Sequence, residues 1–304
     1  MKGFSRILAA TDLSLPARHA VERAFYLATG AESELHILHA IELDALDSLR
    51  ESLGGDVGAV KAALRRDAQA CLERLAASMA IDHGGVLHTR VVDGNPLVAI
   101  ANEADALDAD LVILGARGES FLRRALLGST AARLLRKSSR QPVLIVKQAP
   151  HQIYRSVLAA VDFSPVSLQA IRMARQAAPA AELILLHAFE LPYEGKLVFA
   201  GVGEQLIRQY VASSGETRRK RLHDLAAAAG LATKDYSVRV IHGDPSQQIV
   251  AVARETDADL IAIGKHGVHI AEALLIGSVA MHVLAESPCD LLVICDQGEA
   301  PAIH

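Results

Sequence analysis

The chain repeats itself once. Arg6-Ile7-Leu8-Ala9-Ala10-Thr11-Asp12-Leu13-Ser14 returns as Ser156-Val157-Leu158-Ala159-Ala160-Val161-Asp162-Phe163-Ser164, and Leu35-His36-Ile37-Leu38-His39-Ala40 returns as Leu183-Ile184-Leu185-Leu186-His187-Ala188. Asp93-Gly94-Asn95-Pro96 corresponds to His242-Gly243-Asp244-Pro245, and Asp110-Leu111-Val112-Ile113-Leu114-Gly115 to Asp259-Leu260-Ile261-Ala262-Ile263-Gly264. The blocks keep their order, at offsets of 148 to 150 residues. An offset of that size marks a duplicated domain, since solenoid units are far shorter (roughly 20–50 residues). The 304 residues suit two domains of about 150. A polar stretch from Gln148 to Tyr154, carrying Pro150, separates them into domains 1–149 and 154–297.

Within the first copy, short apolar runs at 5–11, 34–41, 86–92, 110–115 and 142–147 read as strands. Helical patterns lie between them, near 15–29, 57–81, 96–107 and 128–138; in the second of these Val60, Leu64, Ala68, Cys71, Leu72 and Leu75 hold helical spacing. The second copy repeats the plan. Strands that alternate with helices run parallel, joined by right-handed crossovers, with helices on both sheet faces. Each copy is therefore expected to be a doubly wound, five-stranded α/β/α sandwich, whose ligands bind beyond the carboxyl ends of the strands. Composition agrees: 51% of residues are hydrophobic, there is no Trp, and aromatics make up 4%. Small aliphatic residues suit strands buried on both faces.

A net charge of −4 supplies no basic surplus for nucleic acid. Cys71, Cys289 and Cys295 form no C-x-x-C pair, so they read as buried apolar residues of a reducing compartment. The start of the chain has no signal-peptide pattern, and no apolar run reaches the ~20 residues of a membrane span. A cytoplasmic protein without membrane contact is expected.

After the fourth strand comes Gly115-Ala116-Arg117-Gly118, then nine residues, then Gly128-Ser129-Thr130 opening a helix. The second copy has Gly264-Lys265-His266-Gly267, nine residues, and Gly277-Ser278-Val279. Glycines permit positive φ and a close approach of backbone to phosphate. A Gly-Ser helix start offers unpaired N–H donors, a hydroxyl and the positive end of the helix dipole. Arg117 and Lys265 add a cation beside each loop. Read plainly, the same residues are turn glycines and helix caps; two copies with one internal spacing favour the phosphate loop.

The pattern Gly-x2-Gly-x9-Gly-Ser/Thr resembles the ATP-binding signature of the universal stress protein family, and the resemblance covers nearly the whole chain. It implies strand order 3-2-1-4-5 and a role for Asp12 and Asp162 beside the adenosine. It further implies that the backbone at Ala40 and Ala188 reads the adenine edge, while the glycine and Ser/Thr positions hold phosphates. The implied cofactor is ATP, alone or with Mg²⁺. Single-domain members of the family dimerise through their last strands, which implies an intramolecular pseudo-dimer of the two copies here, with a homodimer as a further step.

The second copy departs from the first. It has His266 and His269 in and after the loop, Glu272 where the first has Arg123, and Cys289-Asp290 in place of Gln141-Pro142. With Arg117, Arg123 and Arg124, the first copy is expected to bind the nucleotide more tightly. His266, His269 and His282 read as solvent-exposed or phosphate-facing, since nothing completes a zinc set. His39 and His187 read as structural; Ser14 and Ser164 read as caps of the helices that follow. The run Arg218-Arg219-Lys220-Arg221 reads as a solvated face. Residues 189–203 read as an apolar segment that packs over the other domain or forms a pocket. No Gly-x4-Gly-Lys-Ser/Thr loop is present, nor a carboxylate pair set for Mg²⁺ and water. A nucleotide-binding stress sensor is the expected function; a slow ATP hydrolase or adenylate-transferring enzyme and a non-binding scaffold are the alternatives.

Overall fold

The structure, a computed structural model, describes residues 3–28, 33–43, 57–79, 86–116, 129–137, 140–191, 194–267 and 276–295. The chain divides into two units, Met1–Ile153 and Tyr154–His304. Unit one runs β1 (Arg6–Ala10), α1 (Leu15–Ala28), β2 (Glu34–Ile41), α2 (Val57–Met79), β3 (Val86–Asp93), α3 (Pro96–Ala106), β4 (Leu111–Gly115), α4 (Ser129–Lys137) and β5 (Val143–Val146). Its strands pair in parallel in the order β3-β2-β1-β4-β5.

Unit two runs β6 (Ser156–Ala160), α5 (Pro165–Ala177), β7 (Glu182–Phe189), α6 (Glu194–Phe199), α7 (Glu204–Ala228), a 3₁₀ turn (Thr233–Asp235), β8 (Ser237–His242), α8 (Pro245–Glu255), β9 (Leu260–Gly264), α9 (Ser278–Glu286) and β10 (Asp290–Ile294). All its pairs are parallel, in the order β8-β7-β6-β9-β10. Both units thus have the 3-2-1-4-5 order that the resemblance implies.

The central strands read as unbroken apolar runs because both of their faces are covered. Ile7 to Ala10 and Leu111 to Leu114 are buried along their whole length. Helix α1 buries Ala17, Ala20, Val21, Ala24, Phe25 and Ala28, the stripe that a 3.6-residue period places on one face. Helix α5 does the same with Val166, Ala170, Ile171, Ala174 and Ala177. Edge strand β3 instead alternates exposed with half-buried positions.

The duplication extends to backbone details. Leu13 (φ 64°) and Phe163 (φ 62°) are left-handed at matching places just past β1 and β6, a conformation rare outside glycine. Gly94 and Gly243, at φ 115° and 136°, turn the chain after β3 and β8. Asn95 and Asp244 then cap α3 and α8, accepting from Leu97 N–H and Gln247 N–H. The Asp of each Asp-Leu strand is a latch: Asp110 accepts from the N–H groups of Ser5 and Arg6, and Asp259 from those of Arg155 and Ser156.

Candidate functional site

In unit two the carboxyl ends of β6, β7 and β9 open onto a cavity of about 440 Å³, within the usual range for small-ligand sites. Val161 N–H donates to Leu186 O, so β6–β7 pairing continues one residue past β6 and leaves Asp162 at the rim. Ala160, Leu186, Ala188, Ile249 and Ile263 supply apolar wall. The opposite wall is Gly264 to Gly267 with Gly277 to Ala280 at the start of α9. Asp162, Ala188, Gly264, Lys265, Gly267, Gly277, Ser278 and Val279 all line this one space.

Local chemistry fixes the Asp162 carboxylate. Its Oδ1 accepts from Ser164 N–H (2.9 Å) and from the Ser167 hydroxyl (2.8 Å). Its Oδ2 faces the loop, and a Cβ added at Gly267 would lie 3.0 Å from it. At Gly264 a Cβ would meet His266 O at 3.2 Å. Neither glycine is at positive φ, so close approach is what these positions require, not left-handed backbone. Ser164 makes no capping bond to α5. That corrects the expected cap at Ser164, whereas Ser14 of unit one does accept from Ala17 N–H (3.4 Å) as expected.

Lys265 closes the loop through its backbone. Its N–H donates to Ile294 O (2.7 Å), and its carbonyl accepts from Gly277 N–H (2.8 Å), tying the two glycine segments together. Its side chain is only 1% exposed, and burial lowers the ammonium pKa from its ordinary value. The Lys265 cation expected beside this loop is thus a buried group.

Unit one has the same frame. Thr11 N–H donates to Leu38 O, leaving Asp12 just beyond β1, where its Oδ1 accepts from Ser14 N–H at 3.0 Å. Ala40 is half-buried near the end of β2, opposite Val92. Gly115 ends β4, Ala116 N–H donates to Val146 O as Lys265 does to Ile294, and Ser129 and Thr130 open α4. Arg117, Gly118, Arg123, Arg124 and Gly128 lie outside the described residues, as do His269 and Glu272 of unit two.

The model of the universal stress protein family matches residues 3–147 and again residues 153–294. The chain belongs to the universal stress protein family. A universal stress protein of Mycobacterium bovis is 30% identical over 210 residues, 65% of this chain and 64% of that protein. One from Methanocaldococcus jannaschii is 28% identical over 145 residues, 48% of this chain and 83% of its own length. Among solved structures, a putative universal stress protein from Pseudomonas aeruginosa superposes with a TM-score of 0.66 at 22% identity, covering 97% of this chain and 94% of its own. A universal stress protein of Archaeoglobus fulgidus gives 0.62 at 21%, with 96% and 98% covered. At these identities the likeness is one of fold.

His39 and His187 are structural, their Nδ1 atoms bonding Thr11 O (2.8 Å) and Val161 O (2.6 Å) beneath the two aspartates. Among the described residues no three metal-ligating side chains come together, and no helix is long and apolar enough to cross a membrane. Cys289 and Cys295 are buried as expected, but Cys71 is exposed. Of segment 189–203, Phe189 and Leu191 are buried while Phe199 is 95% exposed; Pro192 and Tyr193 lie outside the described residues. Arg219, Lys220 and Arg221 of the basic run are exposed, as a solvated face requires, and Arg218 is half-buried; Arg218 and Arg221 also lie over the rings of Phe189 in β7 and Phe163 just past β6.

Proposed function

We propose that this universal stress protein binds an adenine nucleotide, ATP alone or with Mg²⁺, at the carboxyl-end crevice of each unit and acts as a sensor of it. One observation carries the reading: the eight described unit-two positions picked by the family pattern surround a single cavity. Its chemistry suits the parts of a nucleotide. The aliphatic wall of Leu186, Ala188 and Ile249 suits a flat purine, and the Asp162 carboxylate at the rim suits ribose hydroxyls. The N–H groups of Ser278, Val279 and Ala280 open a helix and suit phosphate. ATP would supply the charged phosphates, and these residues would bind and orient it.

An enzymatic reading finds less support. The hydroxyl that contacts Asp162 belongs to Ser167, which is 2% exposed and hydrogen-bonded to Asp162. A buried hydroxyl there serves the carboxylate and cannot reach substrate. Turnover well below ~1 s⁻¹ is expected, under the usual range of dedicated enzymes. Freshly purified protein should release an adenine nucleotide on denaturation, read by mass spectrometry. Release of none, with no ATP binding in calorimetry, would overturn the proposal.

A further inference from the structure

Next to the cavity residues Leu186 and Ala188, on the other face of β7, unit two carries a row of rings in contact, one pair stacked and two tilted. The Phe163 and His187 ring centroids are 4.5 Å apart. His187 and Phe189 lie nearly parallel at 6.1 Å, and Phe189 meets His242 at 5.5 Å. Helix α7 covers the row with two guanidinium groups: Arg221 Cζ is 4.1 Å from the centre of the Phe163 ring, and Arg218 Cζ is 4.2 Å from that of Phe189. At its far end His242 Nε2 lies 2.8 Å from Glu194 Oε2 of α6.

These rings are sequence neighbours of the cavity residues. Phe163 follows Asp162, and His187 and Phe189 flank Ala188. Successive strand residues point to opposite faces, so clamping His187 and Phe189 of β7 on one face fixes Ala188 on the other, while Phe163, in the turn past β6, is joined directly to Asp162. Phe163 itself holds the costly left-handed φ of 62°. Unit one has Leu13, His39, Ile41 and Asp93 at the matching positions, and there Arg65 bonds Asp93 at 2.7 Å instead. The ring row is therefore particular to unit two.

We propose that Arg218 and Arg221 are positioning residues of the unit-two crevice, stacking on Phe189 and Phe163 so that Ala188 and Asp162 are held in place for the ligand. The inference rests on the nucleotide-binding reading above. Burial supports it, since it lowers the pKa of His187, with Arg218 and Arg221 acting in the same direction against the Val161 carbonyl and Asp162. A neutral imidazole can sit between two guanidinium groups.

The test isolates unit two with Gly118→Asp in the loop of unit one and measures ATP affinity by calorimetry. Into this parent go Arg218→Ala, Arg221→Ala, Arg221→Lys and Phe163→Leu, the last giving the residue that unit one carries. Lys220→Ala, an exposed neighbour on the same helix, is the control. Exchange of the Ser164 amide, which bonds Asp162 Oδ1, is followed in the nucleotide-free protein. Arg218→Ala, Arg221→Ala and Phe163→Leu should each weaken ATP about three- to tenfold, the equivalent of one lost cation–π contact. In Arg221→Ala and Phe163→Leu the Ser164 amide should also exchange faster; Arg221→Lys should fall between, and Lys220→Ala should match the parent. Unchanged ATP affinity in these variants, beside a parent that binds, would overturn the positioning role even if their melting temperatures fall. A parent that binds no ATP would instead overturn the nucleotide reading of unit two, and the positioning role with it; Ser164 exchange would still show whether the rings order the turn.

Discussion

Gly267 and Asp162 are the pair on which the unit-two site turns. With Oδ2 only 3.0 Å from where a Cβ would stand, any side chain at 267 crowds the carboxylate, which must give by a few tenths of an ångström, and an acidic one also repels it. Gly267→Asp should abolish nucleotide binding at unit two while leaving the urea midpoint nearly unchanged, because position 267 is exposed. Asp259 behaves in the opposite way. Its carboxylate accepts from two backbone N–H groups far from the cavity, at 2.7 and 3.1 Å. Asp259→Ala should cost roughly 1.5–3 kcal/mol, the scale for hydrogen bonds to a charged group, with unit-two affinity intact. Urea denaturation together with calorimetry checks both. The contrast shows what residue types conveyed. The Asp-Leu block marks the repeat as clearly as the glycines do, yet its Asp is a strand latch and its function is structural.

At the scale of elements, strands and helices were legible because their periods were clean. Strands buried on both faces wrote themselves as apolar runs, and α1 and α5 as Ala-rich stripes. What was hidden depends on contacts across elements. Arg218 and Arg221 look like a solvated charge run, since their ring partners are contributed by β7 and the turn after β6. The interior place of Lys265 was equally unreadable, because a lysine after a glycine suggests a ligand cation.

The edge of unit one holds another cross-strand pair, His36 on β2 and His88 on β3, stacked at 4.6 Å. Burial lowers the His36 pKa from its ordinary 6.5, His88 adds to this, and Glu34 and Glu103 oppose it. A lowered folded-state pKa means that the neutral ring is the one the fold prefers. Its contribution is full above pH 6.5 and is lost as pH falls below that value toward the folded pKa. His187 in unit two has the same sign. Urea midpoints should therefore hold from pH 8 to 7 and decline below about 6.5. His36→Gln should make the decline shallower.

At the scale of the whole molecule, duplication preserved the frame and let the two sites diverge. Both units keep the 3-2-1-4-5 order, the aspartate just beyond the first strand, the histidine beneath it and the glycine that ends the fourth strand. The sequence places more arginine near the loop of unit one, whereas unit two adds rings and guanidinium groups behind its crevice. These favour different sites, so the two are expected to differ in affinity. Equal ATP affinities for Gly118→Asp and Gly267→Asp, each with one working loop, would contradict that inequality. Nucleotide binding is the proposal on which the rest depends. Its most direct test is identification, by mass spectrometry after denaturation, of what freshly purified chain carries, with the Gly118→Asp, Gly267→Asp double variant beside it. An adenine nucleotide released from the parent and missing from the double variant is the expected result; no nucleotide from either, or equal amounts from both, would contradict it.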